Sequence, residues 1–181
     1  MILTIFRMKL LFILLNSIFL LVNCNNFTTV KELDLEKYIG HWNQVYASPF
    51  DFTFQGYGKC ITADYKIIDT NNVSVLNSQY NKDNKYEEIK GYAYYKDFTK
   101  PGELSVILEG TNFPAPYWVI KLGEVVNNQY QYSIISVPYG PSLWVLARNI
   151  NKFFRYYNNE VIEFLDEYNF NYVKINQICN F

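Results

Sequence analysis

A single histidine, His41, serves the whole 181-residue chain, and there are only three cysteines, Cys24, Cys60 and Cys179. One histidine excludes a histidine-built metal cluster. Neither the cysteine spacing of a zinc site nor a glycine-rich phosphate loop occurs. Charged residues make up 18% of the chain and the formal net charge is −1, with no basic patch of the kind that binds nucleic acid. Paired carboxylates are missing too. Glu87 and Glu88 are neighbours on a β-prone run, so their side chains point to opposite faces and cannot act as an acid and base pair. His41, between Gly40 and Trp42, is read as an exposed, inert side chain directed away from Trp42. These shortages leave little for catalysis. The chain is read as a non-enzyme without cofactor or metal.

Long apolar runs are equally scarce. The one at residues 10–22 is shorter than the ~20 residues that span a bilayer. It follows Arg7-Met8-Lys9, and Val22 and Cys24 stand at the −3 and −1 positions before Asn25. This is the pattern of a secretory signal over residues 1–24, leaving one domain over 25–181. An uncleaved anchor and a lipid attached at Cys24 are the alternatives. Removal of residues 1–24 takes away Arg7, Lys9 and Cys24. The remainder carries 14 basic and 17 acidic side chains, a net charge of −3. Cys60 and Cys179 then form an even pair in an oxidising compartment, either bridged or as two buried thiols. The sequons Asn26-Phe27-Thr28 and Asn72-Val73-Ser74 fit the same compartment as glycosylation sites.

What the chain does have is apolar and aromatic residues, at 50% and 19%. From Gly40 onward they fall into short β-prone runs at 42–48, 59–68, 73–80, 86–96, 103–109, 117–124, 129–137 and 143–149. Asn, Asp, Gly and Pro fill the separators, as in Asp69-Thr70-Asn71-Asn72 and Pro138-Tyr139-Gly140-Pro141. One helix follows, in which Val161, Leu165 and Tyr168 repeat at i, i+4 and i+7 against acidic Glu160, Glu163, Asp166 and Glu167. Val173 to Asn176 alternates as a short ninth strand. The expected fold is all-β: an eight-stranded antiparallel up-and-down barrel, the C-terminal helix packed outside. An interior of that size is filled by side chains or holds one small ligand.

In such a meander strand eight runs back beside strand one. Trp42 then lies near Arg148, Gln44 faces Leu146 and Tyr46 faces Trp144, all on the inner side of the sheet. Gly40 allows a tight turn into the barrel floor, Trp42 plugs it, and Arg148 covers the indole.

Gly40-x-Trp42 entering the first strand and Leu143-Trp144-Val145-Leu146-Ala147-Arg148 ending the last resemble the lipocalins. So do Lys59-Cys60-Ile61-Thr62-Ala63-Asp64-Tyr65, Lys100-Pro101-Gly102-Glu103-Leu104 and Ala115-Pro116-Tyr117-Trp118-Val119 between them. The branch resembled includes apolipoprotein D, the bacterial lipocalins and the plant temperature-induced lipocalins. The resemblance covers roughly residues 35–179. It implies a calyx for a small hydrophobic ligand such as a lipid, fatty acid, sterol or pigment. It also implies a bridge between Cys60 and Cys179. Two features depart from the family: cysteines for a second bridge are absent, and Val126-Asn127-Asn128 replaces a Thr-Asp-Tyr triplet before strand seven.

By strand parity Ile61, Ala63 and Tyr65 face inward, opposite Cys60. Family matching places Tyr65 and Trp144 at ligand-lining positions and Asn77 with Gln79 on the inner face of strand three. The ligand-binding set expected from the sequence is therefore Tyr46, Ile61, Ala63, Tyr65, Asn77, Gln79, Trp144 and Leu146. Phe50, Phe52, Phe54, Tyr57 and Phe113 belong to loops at the open end, where they act as a gate, touch a membrane surface, or tuck under their own loops. The expected partner is a small hydrophobic ligand, with no nucleic acid, and a monomer is favoured; the alternatives are a lipocalin-fold enzyme acting on a lipid and a membrane-surface or interaction protein with a filled barrel.

Overall fold

The computed structural model describes residues 27–177, with Phe54 described by its backbone alone. The expected signal segment, Asn26 and Cys179 lie outside the described residues. A one-turn helix, α1 (Leu35–Tyr38), leads into the sheet; Asp34 caps it by accepting from the Glu36 amide at 3.0 Å. The sheet strands are β1 (Gly40–Ala47), β2 (Lys59–Ile67), β3 (Asn72–Tyr80), β4 (Tyr86–Tyr95), β5 (Glu103–Leu108) and β6 (Ala115–Leu122), then β9 (Tyr132–Ser136) and β10 (Leu143–Ala147). Each pairs with its sequence neighbour, and β10 pairs back onto β1, which closes an eight-stranded antiparallel barrel. A small hairpin, β7 (Val125–Val126) with β8 (Gln129–Tyr130), projects at the closed end. Its two turn residues, Asn127 and Asn128, both have positive φ, 50° and 60°. Asparagine tolerates that region, and a two-residue turn of this hand matches the twist of the strands.

Bulges set which side chains face inward. On β1, Gln44 pairs with Leu146 and Tyr46 with Val145, so one extra residue, Val45, is inserted on β1. Similar shifts lie between Val119 and Lys121 on β6 and between Lys59 and Thr62 on β2, where Cys60 has a φ of 52°.

The barrel is bordered by two apolar cores. One fills its interior with Trp42, Ala63, Tyr65, Val73, Val75, Ala93, Tyr95, Leu104, Val119, Ile135 and Leu146. The other lies between the outer wall and the C-terminal helix, where Val45, Tyr46, Tyr132 and Ile134 meet Phe153, Val161 and Leu165. That helix starts earlier than its 3.6-residue repeat suggested. It comprises α3 (Ile150–Lys152), a π-helical turn at Phe153–Tyr157, and α4 (Asn158–Glu167), with Asn149 capping the start. The wide π turn breaks the periodicity and carries both Phe153 and Tyr157 onto Tyr132, at ring separations of 6.3 and 5.7 Å.

The tail enters the wall. β11 (Val173–Lys174) pairs with Tyr46 and Ala47 of β1, past the point where β1 stops pairing with β2 at Asn43. The Ile175 amide donates to the Val45 carbonyl, and the Cys60 amide donates to the Asn176 carbonyl, both at 2.9 Å. The tail therefore fills the seam between β1 and β2 at the open end.

Candidate ligand site in the barrel

The closed end is built around Trp42, which has no exposed surface. Gly40, at φ 100°, turns the chain from α1 into β1. The Trp42 indole N–H donates to the Tyr38 carbonyl at 2.8 Å. Arg148 lies over the indole with its guanidinium carbon 3.7 Å from the ring centroid. Its N–H groups donate to the carbonyls of Lys37, Tyr38, Ile39, His41 and Tyr130 at 2.8–3.2 Å. Burial pulls its pKa down to about 10, so it stays charged at neutral pH. The loop that lacks the family triplet reaches the last strand through backbone: the Arg148 amide donates to the Gln131 carbonyl at 3.1 Å. His41 is exposed, as expected, and its Nδ1 lies 3.0 Å from Asp64.

Above the floor lies a tyrosine cluster that parity alone did not reveal. Tyr38 comes from α1 and its ring stacks on Tyr65, with centroids 5.8 Å apart. Its hydroxyl is 2.7 Å from that of Tyr117 and 2.9 Å from the Ser133 hydroxyl. The Tyr65 hydroxyl lies 3.2 Å from Tyr117. Burial raises all three phenol pKa values, that of Tyr38 to about 12. Hydroxyls so placed bond one another and leave the lower barrel filled.

Towards the open end the inward positions change character. Asn77 pairs with Ala63 and Ile89, and Gln79 with Glu87, so Asn77, Gln79 and Glu87 follow Val73 and Val75 on the inner face. Near the floor Tyr38, Trp42, Tyr65, Val73, Val75 and Leu146 are buried, while Tyr117 and Leu122 are half-buried. Asn77, Gln79, Ile89, Leu108 and Trp144, nearer the mouth, are half-buried. The loop after β1 carries a short helix, α2 (Phe52–Gln55), which roofs part of this region. Gln79 Nε2 holds it by donating to the Gln55 carbonyl at 2.7 Å, and Gln79 fills the space at Gly58 where a Cβ would sit. Outside the closed end a solvent-open groove of about 690 Å³ runs past Ile39, Gly40, Lys66, Ile67 and the Asn127–Asn128 turn, away from these residues.

Of the residues expected to line a ligand, Asn77, Gln79 and Trp144 stand in the mouth half. Ala63, Tyr65 and Leu146 belong to the packed interior below it. Ile61 joins Ala47 and Ile175 in a separate small cluster against Phe52. Tyr46 requires a correction. The Val45 bulge turns it to the outer face, where its ring meets Phe153, Phe154 and Tyr172 and its hydroxyl donates to Asn158 at 2.8 Å. Trp144 accordingly pairs with Ala47, not Tyr46. Gln44, buried opposite Leu146, was placed inside by parity but not counted as a ligand residue.

The family model for the lipocalin-like domain matches residues 33–162. The chain belongs to the lipocalin-like family. Apolipoprotein D of Cavia porcellus is 31% identical over 147 residues, covering 80% of this chain and 73% of its own. The outer membrane lipoprotein Blc of Vibrio cholerae is 30% identical, covering 78% and 81%. Among solved structures, apocrustacyanin C1 superposes with a TM-score of 0.59 at 19% identity, covering 81% of each chain. A cockroach allergen superposes at 0.57 and 18%, covering 86% of this lipocalin and 95% of its own chain. At those identities the solved structures establish the lipocalin's fold alone. Among the described residues no helix is long and apolar enough to cross a membrane.

Proposed function

We propose that this lipocalin is a secreted carrier that holds a small hydrophobic ligand in the mouth half of its barrel. The observation that carries the reading is the gradient along the inner wall: a filled, hydrogen-bonded floor below, and half-buried Trp144, Leu108, Ile89, Asn77 and Gln79 above. Half-buried side chains on the inside of a closed barrel border space that a ligand can occupy. Family membership supports the same reading, since lipocalins typically bind small hydrophobic molecules. Native mass spectrometry of protein purified from its source should show a co-purified small molecule displaced by an apolar fluorescent probe. A ligand-free protein that also fails to bind such probes contradicts the proposal.

Export fits the charged start and short apolar run of residues 1–24. A Cys60–Cys179 bridge fits the path of the tail, because the Cys60 amide bonds Asn176, three positions before Cys179. Asn72 is the less accommodating sequon. Its side-chain amide donates to both oxygens of Asp69 at 2.9 Å, so a glycan there displaces part of that turn.

A second reading draws on the mouth loops, which expose Phe50, Tyr57, Phe113 and Tyr139, the last two at 81%. Aromatic side chains on adjoining loop tips suit the interface of a lipid bilayer. Co-sedimentation with vesicles that persists when the barrel is blocked by ligand favours it.

A further inference from the structure

The inner wall, from the level of Leu146 up towards the mouth, carries polar atoms without partners. Gln44 is 5% exposed, and its Nε2 is buried with no hydrogen-bond partner; the same holds for Asn77 Oδ1 and Gln79 Oε1. Gln44, opposite Leu146, and Asn77, next to Ala63, face the interior, whereas Gln79 Oε1 lies against Gly58. Buried amides are ordinarily satisfied, so a bare donor and a bare acceptor on one lining define what is missing there.

The charges on that lining are as informative. The strand register and the Trp42 contact place Glu87 at the rim and Arg148 at the floor of the inner face, and Asp51, buried in the loop after β1, adds a further carboxylate with an unpartnered Oδ1 at the open end. Glu87 already accepts from Gln79 and Asn81. The guanidinium of Arg148 is engaged by five carbonyls and the Trp42 ring. Lys121 points out to the helix, 4.9 Å over Phe164, and Lys82 and Lys85 are exposed in the β3–β4 loop. A carboxylate drawn down to Gln44 and Asn77 therefore meets no free cation, and it leaves water for a site without a counter-charge. A group that both donates and accepts, without charge, completes the set.

We infer that the calyx selects an uncharged amphiphile, whose hydroxyl or primary amide bonds Gln44 and Asn77 while its hydrocarbon part lies against Trp144, Leu108 and Ile89. The inference rests on the carrier reading above and narrows its ligand class.

The test is competition at neutral pH of 1-dodecanol, dodecanoate and dodecylammonium against an apolar fluorescent probe. The chains are matched and only the head group differs. Dodecanol should displace the probe at about tenfold lower concentration than dodecanoate, the scale of one desolvated charge or one good hydrogen bond. Gln44→Met and Asn77→Leu should each erase most of that preference. Their urea midpoints should hold or rise, because an unpartnered buried amide has been replaced by an apolar side chain of similar size. Probe binding with dodecanoate equal to or better than dodecanol overturns the inference and leaves the carrier reading intact. Midpoints that fall in both variants make the amides structural and overturn it too. Failure of the probe and all three amphiphiles to bind removes the carrier reading, and the inference with it.

Discussion

The floor half and the mouth half of the barrel are made from the same eight strands, yet their inner faces solve different problems. In the floor half the largest fully buried polar groups found partners inside the molecule. The Trp42 indole bonds Tyr38, the Arg148 guanidinium bonds a set of carbonyls, and the phenols of Tyr38, Tyr65 and Tyr117 bond one another and Ser133. Higher on the wall, Gln44 Nε2 and Asn77 Oδ1 are unpaired on the inner face, and Gln79 Oε1 lies unpaired against Gly58. The sheet geometry is shared, so it does not separate core from container. What separates them is whether inward polar atoms are close enough to satisfy each other. A helix contributes to the difference: α1 delivers Tyr38 into the floor, whereas among the described residues the mouth has the short helix α2 over part of it.

The largest way to break this contrast is Trp42→Ala. Removing a ring with no exposed surface should cost about 3–5 kcal/mol, read from urea midpoints, and leave probe affinity unchanged in the folded fraction. Arg148→Ala should cost about 2–3 kcal/mol, through lost charged hydrogen bonds and the carbonyls left facing a gap. Tyr117→Phe should cost about 1–2 kcal/mol, because its hydroxyl links those of Tyr38 and Tyr65. Trp144→Ala should shift the midpoint least, since that ring is only half-buried, and on the carrier proposal it should weaken probe binding most.

Alkali offers a different way to sharpen the contrast, acting on the floor phenols and on Tyr132 and Tyr157 of the outer core. The buried phenols have raised pKa values, so the unfolded chain releases their protons first. Their stabilising contribution is complete below the ordinary phenol pKa near 10 and is lost as pH rises towards about 12, the value for Tyr38, and beyond. Arg148 acts oppositely. Its folded pKa is lowered to about 10, so stability from this group rises above that pH. Three phenols outweigh one guanidinium, and unfolding should set in above about pH 10 together with tyrosinate absorbance. Tyr117→Phe should reduce the steepness of that transition.

The floor was legible in the sequence because strand parity and a meander suffice to bring Trp42 under Arg148, and Gly40 marks the turn beside them. Gln44 opposite Leu146 followed from the same count. One residue further the count failed. The Val45 bulge leaves no mark that alternation reveals, and it sends Tyr46 outward to the helix. The early half of that helix was hidden for a related reason, since the π turn at Phe153–Tyr157 departs from the 3.6-residue repeat. The tyrosine cluster draws on α1, β2, β6 and β9, elements distant in sequence, and only their closure into a barrel brings the hydroxyls together. The signal that could have found it is Tyr38 ending a capped turn directly before Gly40-x-Trp42.

The most direct test uses the three tryptophans as reporters of position. Trp42 lies in the floor, Trp118 packs against the outer core, and Trp144 lines the mouth. A brominated long-chain alcohol, a contact quencher, is titrated into the wild type, Trp42→Phe and Trp144→Phe, and tryptophan emission is followed. If the mouth half is the container, quenching persists in Trp42→Phe and is largely lost in Trp144→Phe. Quenching that survives Trp144→Phe but vanishes in a folded Trp42→Phe would place the ligand against the floor and contradict the account.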